Sequence, residues 1–156
     1  MTGPAKSNLH GSKPSGIVLA GGQSRRLGMD RASEQLSGEA LIRRVIHLVS
    51  PLTSETNVVM ANLTRGETLP LNQMESVAVD IYPVCGFVGD ISRGCRLPAH
   101  NGLVVACGMP LLNSELLTYL NSLREGYEAV VPVLKGRPEP THALYSKSAC
   151  HTSNSD

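Results

Sequence analysis

The chain has 156 residues, 41% of them hydrophobic and 17% charged, which is the size and makeup of one folded domain and excludes a disordered chain. Fourteen Lys and Arg against thirteen Asp and Glu leave a formal charge of +1, so neither nucleic acid nor an acidic membrane is expected as a partner. No apolar run is long enough to span a bilayer, and the first fifteen residues lack the apolar stretch of a secretory signal, so a cytoplasmic location is expected.

One Phe, four Tyr and no Trp leave the core to aliphatic side chains. Residues 1–15 read as a flexible lead, 16–148 as one domain and 149–156 as a polar tail. The run Gly16 to Ala20 is short and β-branched and stops at Gly21-Gly22, the pattern of a strand buried on both faces of a parallel sheet. A polar, basic loop from Gln23 to Arg31 follows. Leu41, Ile42, Val45, Leu48, Val49 and Leu52 then recur with helical spacing, with Pro51 near the end of the stripe.

Asn57 to Ala61 and Ser76 to Val79 are the next strands, and a glycine-containing loop from Tyr82 runs into a helix around Val88 to Leu97. Leu103 to Cys107 is a further strand, stopped by Gly108. Asn113 or Ser114 caps a helix whose Leu116, Leu117, Leu120 and Leu123 share a face, and Gly126 ends it. Ala129 to Val133 and His142 to Tyr145 are the last extended pieces. Strands alternating with helices predict an α/β fold with a doubly wound, mostly parallel sheet, cut short at the C-terminus.

Ligands of such a sheet bind outside the carboxyl ends of its strands. After the first strand, Gly21 and Gly22 let the backbone approach an anion, and Arg25, Arg26 and Arg31 carry guanidinium forks suited to phosphate. The same residues equally describe a tight turn and a solvated loop. Asp80, at the end of the third strand, reads either as a partner for a ribose or base donor or as a turn cap. His142 and Lys147 are candidates for substrate contact, although ordinary surface or core roles are the commoner ones. The four cysteines form no C-x-x-C pair and are read as free thiols; no cluster has zinc-ligand spacing.

Four segments, in order, resemble one family. Leu19 to Arg31 is similar to the signature L-A-G-G-x-S-x-R-[ML]-G-x-D-K that opens the molybdenum cofactor guanylyltransferases and their wider MobA-like nucleotidyltransferase relatives. Asp80 to Ile91 is similar to D-x-Y-P-G-x-G-P-L-G-G-I, and Val104 to Leu112 to V-V-A-C-D-M-P-F-L. Val131-Pro132 together with Arg137 to Tyr145 is similar to V-P…G-x-x-E-P-L-H-A-L-Y. The resemblance implies a Rossmann-like fold and transfer of GMP from GTP to molybdopterin with release of pyrophosphate, assisted by Mg²⁺, with cofactor-pathway proteins as possible partners. By matched position, Leu19, Ala20, Gly21, Gly22, Ser24 and Asp80 would bind the nucleotide, and Arg26 and Arg31 would serve the phosphates. A cytidine nucleotide in place of GTP is an alternative on the same scaffold.

The sequence departs from that pattern in three ways. Arg31 stands in the place of the signature lysine, and Gly108 in that of the metal-binding aspartate. Asp90, where the family has the second glycine of G-G-I, is a nearby candidate carboxylate for a metal or, alternatively, a side chain that crowds a loop favouring glycine. Family members also continue for some forty residues beyond the last motif. These departures point to a second expectation, a catalytically inactive or truncated paralogue that only binds nucleotide or a partner protein.

Overall fold

The computed structural model describes residues 13–20, 31–60, 68–79, 101–109, 111–146 and 148–149. Its first strand, β1, spans Ser15–Leu19 and is buried throughout. Two short strands, β2 (Gln35–Leu36) and β3 (Glu39–Ala40), pair antiparallel and lead into helix α1 (Leu41–Val49). Strands β4 (Thr56–Met60), β5 (Ser76–Val79) and β6 (Gly102–Ala106) follow, then helix α2 (Ser114–Ser122). The chain continues through β7 (Ala129–Val130), β8 (Val133–Leu134), β9 (Arg137–Pro138) and β10 (His142–Tyr145).

Six strands form one sheet in the order β5-β4-β1-β6-β10-β7. The pairs β1–β4, β1–β6 and β4–β5 are parallel, with Gly16 beside Thr56 on one side and Leu103 on the other. β10 runs antiparallel to both β6 and β7. The mostly parallel α/β architecture read from the sequence is therefore present, with a reversed pair of strands at one edge.

Both sheet faces are covered. On one, Val18, Val58, Met60, Leu103, Val105 and Leu144 pack with the helices, which contribute Ile42, Val45, Ile46 and Val49 from α1 and Leu117 and Leu120 from α2. On the other, Ile17, Leu19, Val59 and Val104 form a second cluster. Burial on both faces is why these strands read as unbroken aliphatic runs. Each fully buried aliphatic side chain contributes about 1.5–3 kcal/mol at most, so the five buried residues of α1 are a major anchor.

α1 is shorter than its apolar stripe predicts. It ends at Val49, and Ser50–Leu52 form one 3₁₀ turn with Pro51, whose missing N–H cannot continue the α-helical ladder. Ile46 takes the buried position, whereas Leu48 and Leu52 are only partly buried against the cluster. The Thr53 hydroxyl donates to the Val49 carbonyl and the Lys13 ammonium to the Pro51 carbonyl, so the exposed end is capped. Arg43 of α1 also forms an ion pair at 2.7 Å with Glu75, just ahead of β5.

α2 has the expected cap: the Asn113 side chain accepts from the Leu116 N–H at 3.0 Å. Leu117 and Leu120 are buried, but Leu116 and Leu123 are exposed, so only half of the predicted leucine face reaches the core. The predicted strand over Ala129 to Val133 is broken. It leaves the sheet after Val130, and Val133–Leu134 turn instead into a hairpin with Arg137–Pro138. Pro132 has no N–H for a ladder, while its carbonyl accepts from the Glu139 N–H across the base of the hairpin. Lys135 and Gly136 at its tip both have positive φ, as do Ser37 and Gly38 between β2 and β3, the conformation of two-residue hairpin turns. The predicted helix near Val88 to Leu97 lies outside the described residues.

Candidate functional site

From β1 the chain proceeds outward through β4 to β5, whereas β6 lies on the opposite side of β1. The strand order therefore reverses between β1 and β6, and the crevice beyond their carboxyl ends is where an open α/β sheet takes its ligand. Backbone bonds hold its floor. The Cys107 N–H donates to the Leu19 carbonyl at 3.0 Å, and the Ala20 N–H to the Val59 carbonyl at 2.7 Å. The side chains of Leu19, Ala20 and Cys107 are all buried, so what these residues can offer a ligand is main chain and position. Cys107 carries a buried thiol that is in no disulfide, as expected.

Arg31 is brought to this crevice from outside the sheet. The next residue, Ala32, is fully buried, and its carbonyl accepts from the Ile42 N–H, while the Glu34 carbonyl accepts from the Leu41 N–H. Two of the unpaired amides at the start of α1 are thus satisfied by the segment carrying Arg31, in place of the side-chain cap that Ala40, with its methyl group, cannot supply. From that anchor the Arg31 side chain reaches Gly108, just past β6. A Cβ built on Gly108 would stand 3.6 Å from Arg31 Cδ and 3.8 Å from its Nη1. Among the described residues no carboxylate pairs with this guanidinium.

That geometry bears on Mg²⁺. Gly108 offers no ligand, and no three His, Cys, Asp or Glu among the described residues converge to hold a metal ion. A divalent cation placed at the end of β6 would face the guanidinium, and a +2 charge about 4 Å from a +1 charge is repelled by ~8 kcal/mol at an effective dielectric of ~20. The described residues at this position do not fit a divalent cation.

His142 opens β10. Because β10 is reversed relative to β6, its first residue stands at the same end of the sheet as the crevice, opposite Val105. Its Nε2 is buried and has no hydrogen-bond partner among the described residues. Burial holds the imidazole below its usual 6.5, with the Glu139 carboxylate opposing that shift. At the other end of β10, burial raises the Tyr145 phenol, whose hydroxyl donates to the Pro140 carbonyl at 2.9 Å.

Of the sequence-predicted residues, the structure brings Leu19, Ala20, Arg31 and Gly108 together at one crevice. Gly21, Gly22, Ser24, Arg26, Asp80, Asp90 and Lys147 lie outside the described residues. The anchoring role of Ala32 carries no signal in the sequence, since a lone alanine before a polar loop is unremarked by any periodicity. A separate groove of about 670 Å³ runs between α1 and α2, lined by Leu48, Leu52, Thr118 and Tyr119 among others, and none of the predicted site residues line it.

The family model of the MobA-like NTP transferase domain matches residues 16–154. A probable molybdenum cofactor guanylyltransferase of Pelotomaculum thermopropionicum is 33% identical over 85% of this chain and 63% of its own length. One of the same name from Chloroflexus aggregans is 32% identical over 86% of this chain and 66% of its own. The chain thus spans about two thirds of the length of the curated relatives it matches. The crystal structure of molybdopterin-guanine dinucleotide biosynthesis protein A from Archaeoglobus fulgidus superposes with a TM-score of 0.73 at 29% identity, over 87% of this chain and 69% of that one.

Proposed function

Because the chain belongs to the MobA-like NTP transferase family, we propose that it binds GTP at the β1–β6 crevice and transfers GMP to molybdopterin. The observation that carries this reading is an arginine anchored over the reversal point of a parallel sheet, in a chain whose named relatives are guanylyltransferases. In this reaction a terminal phosphate oxygen of molybdopterin attacks the α-phosphorus of GTP. A new P–O–P link forms, the α–β link breaks, and pyrophosphate leaves. Catalysis then consists of alignment and of stabilising the negative charge that builds on the phosphoryl oxygens.

In this reading the loop after β1, with Gly21, Gly22 and Ser24, wraps the nucleotide, with Leu19 and Ala20 fixing where the loop begins. Arg26 and Arg31 face the phosphates, and Asp80 holds the guanosine. Mg²⁺ is the family's usual charge carrier, and no step is assigned to it, since the described end of β6 does not fit it. The reading places the reaction in the cytoplasm on dissolved substrates, with cofactor-pathway proteins as neighbours.

The test incubates the folded chain with GTP and molybdopterin and follows pyrophosphate. Release that requires molybdopterin and is absent with buffer alone is expected. GTP binding without release would identify a nucleotide-binding paralogue, the reading that Gly108 favours; absence of both would overturn the assignment.

A further inference from the structure

We propose that in this chain the end of β6 is a seat for a phosphate oxyanion, supplied by Arg31, and that triphosphate binding there does not depend on a divalent cation. The inference rests on the GTP-binding reading above. It follows from the adjacency of two residues far apart in the sequence. Gly108 presents no side chain, and the space above it is taken by the Arg31 guanidinium, with Cδ at 3.6 Å and Nη1 at 3.8 Å from the position of a Cβ. Arg31 is solvent-exposed, and no described carboxylate competes for it. A guanidinium with open donors at the ligand end of the sheet is matched to the two oxygens of a phosphate.

The two positions are therefore coupled. A carboxylate introduced at 108, with its Cβ 3.8 Å from Nη1, would stand within ion-pairing reach of Arg31. In this chain Gly108→Asp consumes the anion seat without creating a metal site. The substitution is sterically open: the distances are ordinary van der Waals contacts, and both atoms belong to a flexible, exposed side chain.

The experiment is isothermal titration of the full chain with GTP, and separately with inorganic pyrophosphate, in EDTA and in excess MgCl₂. Thermal unfolding of each variant confirms that it is folded. The parent chain is expected to bind GTP in EDTA with a Kd within about threefold of its value in Mg²⁺. Arg31→Gln is expected to weaken metal-free binding of both ligands about tenfold. Gly108→Asp is expected to weaken it similarly. A merely structural role for Arg31 would not alter the metal dependence. GTP binding found only with Mg²⁺, or metal-free binding unchanged by Arg31→Gln, overturns the proposal while leaving the GTP-binding reading intact. No binding of GTP under either condition overturns both.

Discussion

Gly16 sits where β1 passes under the end of α1, and replacing it with alanine tests how rigid that junction is. Its N–H donates to the Glu55 carbonyl at 2.8 Å. A Cβ there would stand 2.9 Å from Val49 Cγ1, 3.1 Å from Thr53 Cγ2 and 3.1 Å from the Glu55 carbonyl oxygen. Val49 and Thr53 are β-branched and buried, and the third atom is backbone, so none can swing aside. Overpacking of this kind costs about 1–3 kcal/mol, against about 0.4–1 kcal/mol regained from the stiffer unfolded chain. Gly16→Ala is thus expected to lose about 1–2 kcal/mol, a fall in Tm of roughly 5 °C for a domain of this size. Urea unfolding should show a lower midpoint with an unchanged slope. Val49→Ala removes the tightest contact, so the double variant should be more stable than the summed single effects by about 1 kcal/mol. GTP affinity should not change, because Gly16 lies at the opposite end of β1 from the crevice. A Gly16→Ala midpoint equal to that of the parent, or strictly additive effects in the double variant, would refute the reasoning.

Three further predictions concern stability. Glu75→Ala is expected to cost about 3 kcal/mol, since it leaves Arg43, 16% exposed, without its carboxylate and deprives the Asn72 N–H of an acceptor; Glu75→Gln should cost clearly less in the same urea titration, and equal losses would count against the ion pair. His142 has a lowered folded pKa, so the folded state binds fewer protons than the unfolded one as pH falls below 6.5; stability present above that value is lost on acidification, and His142→Gln should flatten the acid limb of a stability–pH curve. Tyr145 behaves oppositely, with stability lost as pH rises beyond 10.0 and restored to a flat line by Tyr145→Phe.

The parallel strands were legible because burial on both faces leaves an uninterrupted aliphatic run, and Ser76–Val79 and His142–Tyr145 fall where the sequence places them. The direction of β10 was not legible, since four residues carry no record of which way they run. The hairpins at Ser37-Gly38 and Lys135-Gly136 were missed because each flanking strand is only two residues long, although a glycine in the second turn position was the available signal. In the site, the sequence separately identified Arg31 and Gly108 as departures from a family pattern. Their contact arises from the β1–β6 pairing and from Ala32 wedged beneath α1, neither of which is written in local composition.

The pairing of β1 also bears on biosynthesis. Its neighbours are β4 on one flank and β6 on the other, with Leu19 beside Val59 and Ala106. A nascent chain emerging from the ribosome can zip the first flank early, but the second must wait until residue 106 has cleared the exit tunnel, and closing so long a loop is slow. Until then the second edge of β1 is a bare template for any extended polypeptide nearby. The crevice is thus among the last parts of the molecule to exist, and nucleotide cannot assist the earlier steps of folding.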